Sequence, residues 1–124
     1  MKTGGWFVRA ISPAPHFIAE MPCEPRLRIT VLRTLDPSEV FDELPVAAMD
    51  WMVPCEIFQE GQEFYVGDDL SMPDGFCESA WRAINHNVRT ILYGGVLPHH
   101  EEGDVAVNCC TDGLRPVIFK IERI

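Results

Sequence analysis

The sequence predicts an α+β fold: one small domain in which a mixed, mostly antiparallel sheet carries two packed helices, in the order β-α-β-α-β-β. Three observations predict it. Leu27 to Leu35 (LRITVLRTL) and Pro116 to Arg123 (PVIFKIER) alternate apolar and polar residues, the period of a half-buried strand. Residues 75–93 instead repeat apolar positions at helical spacing, which gives one buried helix face. The 124-residue length suits a single domain with one core.

Residues 1–25 precede that domain as an irregular arm. Four prolines (Pro13, Pro15, Pro22, Pro25) interrupt it, and Trp6, Phe7 and Phe17 give it apolar weight that seeks cover on the domain or in a homo-oligomer. Arg9, Pro13 and Pro15 break its apolar run too early for a signal-peptide core. No apolar run approaches the roughly 20 residues of a membrane span, so the expected location is cytoplasmic and no membrane partner is expected.

The domain, residues 26–124, opens with the first strand, where Leu27, Ile29 and Val31 point one way and Arg28 and Thr30 the other. Asp36-Pro37-Ser38-Glu39 then starts a helix: an acid that caps, a proline suited to the first position, and a glutamate at capping-box spacing. Val40, Phe41 and Leu44 form its apolar side, Pro45 ends it, and Val46 to Val53 adds a second short turn. Pro54 to Gln59 is a connector, Glu60-Gly61 a turn, and Gln62 to Val66 a strand. After the loop at residues 67–75, Asp74 is the expected cap of the main helix, which presents Cys77, Trp81, Ile84, Val88 and Ile91 on one face and stops at Gly94-Gly95. The polar loop Pro98 to Gly103 leads into strands at Asp104 to Cys110 and Pro116 to Arg123, joined through Asp112-Gly113, a dipeptide suited to a positive φ at the glycine.

Residues 27–124, through the segments RITVLRTL, CEIFQEGQEF, MPDGFCESAW, the YGG after the helix and CCTDGLRPVIFKIERI, resemble an uncharacterised family of small prokaryotic proteins of about 100 residues. The resemblance implies a compact single domain and cysteines at Cys55, Cys77 and Cys109. It implies no activity, and it leaves the arm and Cys23 without a counterpart.

Charge narrows the partner classes. The formal net charge is −9, and between Arg33 and Arg82 there is no lysine or arginine while twelve acids fall from Asp36 to Glu78. Such a surface repels a phosphate backbone, so no nucleic-acid partner is expected. It suits a solvated face, a cation or a basic protein partner.

The chemistry-bearing residues are chiefly thiols. Five cysteines in an unpatterned spacing point to free thiols or metal ligands in a reducing compartment. Cys55, Cys77 and Cys109, with Cys110 or His99 as a fourth ligand, are the candidate metal set, for zinc or iron. A thiol in the first turn of a helix feels the positive end of the helix dipole, which favours thiolate and makes Cys77 a candidate nucleophile. The catalytic candidates are Cys77, Cys109, Asp112 and Arg115; Asp112 also serves the turn, and Arg115 pairs with it or holds an anionic group. Cys109 and Cys110 are adjacent on a strand and should face opposite ways. Three readings stay open: a cysteine-centred metal, ligand or redox site; a non-enzymatic accessory protein in which the cysteines are structural; and a small-molecule enzyme using Arg115, Asp112 and a thiolate in a pocket between helix and sheet. No Walker loop, dinucleotide fingerprint, G-x-S-x-G or H-E-x-x-H is present.

Overall fold

The computed structural model describes residues 21 and 23–124. The sequence-defined arm, and with it the oligomer contact expected there, lies outside the described residues apart from its last few positions. The elements are β1 (Pro25–Thr34), α1 (Pro37–Val40), β2 (Glu63–Gly67), α2 (Glu78–Leu92), β3 (Val105–Cys109) and β4 (Val117–Arg123). The predicted order β-α-β-α-β-β is the observed one. The four strands form one sheet in the order β2-β1-β4-β3, and every pairing is antiparallel, so the expected mixture resolves to a purely antiparallel sheet.

β1 and β4 form the centre of the sheet and bury the residues their alternation selects. Leu27, Ile29 and Val31 on β1 and Val117, Phe119 and Ile121 on β4 are all buried on one face. Ile29 stands directly across from Ile121. Each such aliphatic side chain contributes about 1.5–3 kcal/mol when fully removed from water. The register slips between Val31 and Arg33, and this bulge leaves Leu32 exposed at the strand's end.

α2 covers that face with Ala80, Ile84, Val88, Ile91 and Leu92. Beside its first turn, Phe58, Phe64, Phe76 and Phe119 meet mostly edge to face, with ring centroids 4.9 to 5.7 Å apart, the geometry favoured by the ring quadrupole. Phe58 comes from the connector before β2, so that stretch is an anchor as well as a link.

Three expectations about element ends are corrected. α2 begins at Glu78 with Cys77 as its cap position, not near Gly75 with Asp74. Gly75 has φ +82° and the Phe76 N–H reaches the Pro73 carbonyl at 3.1 Å, so Pro73 to Phe76 is a turn that uses glycine's freedom and excludes the helix. α1 is a single turn instead of reaching Leu44: Asp36 accepts from the Ser38 N–H at 3.0 Å and donates its own N–H to Glu39 at 2.8 Å as expected, yet Phe41 is already extended. One turn carries the nucleation cost with little propagation, and Pro45 disfavours helical geometry at Leu44. Gly113 is not among the positive-φ residues; the Asp112 side chain builds that turn instead.

The end of α2 follows its signal. The Gly94 N–H bonds the Ile91 carbonyl at 3.2 Å and the Gly95 N–H bonds Thr90 at 2.8 Å, with Gly94 at φ +85°, a Schellman closure. Arg123 adds a contact from β4, its guanidinium donating to the Ile91 carbonyl at 2.8 and 3.1 Å. A cation there satisfies orphan carbonyls and opposes the negative end of the helix. No helix among the described residues is long and apolar enough to cross a membrane.

Candidate functional site

β3 decides where the cysteines go. Ala106 lies opposite Ile121 and Asn108 opposite Phe119, on the core side, where the Asn87 side chain of α2 donates to Asn108 at 2.8 Å. The even-numbered residues therefore face α2, and Cys109 faces away and is exposed. The two adjacent cysteines do diverge as expected, but it is Cys110, with Cys55 and Cys77, that packs against the core. The expected approach of Cys109 to Cys77 is thus replaced by an outward-facing Cys109.

Among the described residues no three histidine, cysteine or acidic side chains stand where they could hold a metal ion. Cys55, Cys77, Cys109, Cys110 and His99 accordingly do not assemble the tetrahedral zinc or iron set. Cys77 makes no side-chain hydrogen bond at the helix start. The Cys110 sulfur accepts from the Asp112 N–H at 3.4 Å and the Val117 N–H at 3.3 Å, linking the two ends of the β3–β4 loop. His99 lies on an exposed loop. Its neighbour His100, with Glu102, Val105, Val107 and Lys120, lines an open cavity of about 260 Å³ on the outer face of the sheet.

Asp112 and Arg115 are brought together. Asp112 Oδ1 accepts from the backbone N–H groups of Leu114 at 2.9 Å and Arg115 at 3.0 Å, and Oδ2 takes the Arg115 Nε at 3.2 Å. Burial raises the Asp112 pKa, but the backbone donors of Arg115 and Leu114 and the Arg115 guanidinium together hold the carboxyl below its ordinary value. Arg115 then reaches out of its own loop. Its Nη1 donates to the Val53 carbonyl at 3.1 Å, and its guanidinium lies 5.8 Å from the centre of the Trp51 ring.

That contact fixes a segment whose importance was not apparent from periodicity. Between α1 and β2, Leu44, Val46, Met49, Trp51, Val53 and Ile57 all remain exposed, Met49 at 60% and Trp51 at 62%. Asp42, Glu43, Asp50 and Glu56 are interspersed and exposed, and none forms an ion pair among the described residues, whereas Glu39 and Glu60 are both held by Arg33. The sequence signal for this arrangement is apolar content without a sustained period, broken by Pro45 and Pro54. The result is an apolar, anionic surface secured through Arg115.

No protein-family model matches the chain, and neither a curated protein nor a solved structure matches it.

Proposed function

We propose that this protein is a non-catalytic interaction domain that uses the segment between α1 and β2 to hold a protein partner with a basic, apolar surface. The observation that carries the reading is the exposed run Val46, Met49, Trp51, Val53 and Ile57 set among exposed carboxylates. Exposed apolar side chains of this size in one stretch mark an interaction surface more than a solvated loop. Tryptophan and methionine are favoured at the centres of such contacts, and the carboxylates would steer a cationic partner. Arg115 supports the reading by tying Trp51 and Val53 to the sheet before any partner arrives, which lowers the ordering cost of binding. Cys55, Cys77 and Cys110 take structural places in it, packed against the core. Membership in the small prokaryotic family that residues 27–124 resemble belongs to the same proposal, supported by the sheet and α2 falling almost wholly within that span.

The test is titration of the protein with a synthetic amphipathic Lys/Leu peptide, with a Glu/Leu peptide of equal length as control. Binding of the basic peptide that weakens with salt and is lost in Trp51→Ala, with the folded state unchanged, supports the surface. Equal binding by Trp51→Ala, or no preference for the basic peptide, overturns it.

A further inference from the structure

Among the described residues β3 is the edge strand beside β4, and its register shows which of its backbone groups are spent. The Cys110 N–H bonds the Val117 carbonyl at 3.0 Å. In an antiparallel ladder alternate residues turn both groups to the same neighbour, so Asn108 and Ala106 also turn theirs toward β4. Val105, Val107 and Cys109 therefore direct theirs outward. The Val105 N–H goes back to the Glu102 carbonyl at 3.3 Å. Among the described residues, the outward N–H and C=O groups of Val107 and Cys109 have no partner.

Edges of this kind are normally blunted by lysine, proline, a bulge or an inward charge. β3 reads VAVNC and has none of these; its pairing with β4 runs through all five residues without a shift. Val107 is 55% exposed on the outer face. The loop carrying His100 and Glu102 borders a cavity with Val105, Val107 and Lys120, and it makes no hydrogen bond to Val107 or Cys109 among the described residues.

We propose that β3 pairs antiparallel with β3 of a second copy of this chain, joining two sheets edge to edge about a two-fold axis at Val107. The strand fits itself in that register. Val107 exchanges both backbone bonds with Val107 of the second copy, and Val105, whose N–H is held by Glu102, accepts the Cys109 N–H of the second copy at its carbonyl. Ala106 meets Asn108, so each large outward side chain falls beside one on the same face. Charge permits it. Within the strand there is no charged residue despite the chain's net −9, and antiparallel pairing sets each Asp104 opposite Cys110, about 20 Å from the other Asp104, beyond the screening length. A closed two-fold contact is also the commonest form of self-association.

Sedimentation equilibrium of the full chain over a wide concentration range tests this, with Val107→Lys and Val107→Pro beside it. The expected result is a concentration-dependent rise toward twice the protomer mass. Either substitution should weaken it by about tenfold or more: proline removes the pair of backbone hydrogen bonds at the axis, and lysine sets two like charges opposite each other there. Thermal unfolding should be little changed in Val107→Lys, which decides the matter if Val107→Pro does not fold. Val105→Cys adds a register test. Paired residues about 5.5 Å apart at Cα lie within disulfide reach, so oxidised glutathione should link two chains, and Cys109→Ser should abolish the link. A monomer at every concentration, or a dimer that persists in Val107→Lys, overturns the proposal.

Discussion

Two stretches of similar apolar content have opposite fates. In β1, Leu27, Ile29 and Val31 alternate with polar neighbours and disappear into the core. Between α1 and β2, Leu44, Val46, Met49, Trp51, Val53 and Ile57 are as apolar and remain in solvent. What separates them is period. A strand buries every second residue on one face, so a period of two converts apolar content into burial. In the later stretch Met49, Trp51 and Val53 alternate only briefly, with the equally apolar Met52 between two of them, and Pro45 and Pro54 deny it a continuous ladder or helix. Hydrophobicity without periodicity leaves a surface, here held in place by Arg115.

That contrast can be broken at its strong end first. Phe119→Ala removes a fully buried ring from the aromatic cluster and should cost about 3–5 kcal/mol, read as a lower urea midpoint with little change in slope. Arg123→Met removes the charged donor from the Ile91 and Gly95 carbonyls at the end of α2 and should cost roughly 1–2 kcal/mol by the same measurement. At the weak end, Trp51→Ala deletes the largest side chain of the exposed stretch, yet should shift stability by no more than about 0.5 kcal/mol. A loss comparable to that of Phe119→Ala would show that Trp51 belongs to the core, contrary to its exposure.

Acid sharpens the comparison in a different way. Asp112 has a folded pKa below its ordinary 3.8. Its contribution is therefore complete above that value and is lost as pH falls through the folded pKa. Asp112→Asn should flatten stability against pH below about 4 while leaving the neutral range nearly unchanged in slope. A persistent acid limb in that variant would assign it to other carboxylates, such as Asp36, whose pKa the Ser38 hydroxyl and N–H lower.

The strands, their order along the chain and most of the core were legible because burial on one face writes itself into the sequence as a period. Element ends were less so. Asp74-Gly75 carries the same residue types whether it caps a helix or turns the chain, and only the positive φ of Gly75 separates the two. The facing of β3 was harder still. Val105 and Val107 suggest that the odd positions point inward, whereas the structure buries Ala106 and directs Asn108 toward Asn87. A small residue and a hydrogen-bonded amide there let α2 approach closely, a choice visible only once the helix is in place. Asp112 with Arg115 was legible as a pair, because the two sit three residues apart. Their reach to Trp51 and Val53 was not, since it joins segments about sixty positions distant.

The place of β4 has a consequence for how the domain is made. It is the last of the six elements among the described residues, yet it lies between β1 and β3, pairing Leu27 with Arg123. While the chain is being synthesised, β1 can meet only β2, and the apolar face awaiting β4 stays open until residues 117–123 emerge. Long-range pairing of this kind closes slowly, and unpaired strands are exposed to aggregation in the interval. A ribosome stalled just short of Val117 should therefore hold a protease-sensitive chain, and release of the final strand should bring protection to all four strands together.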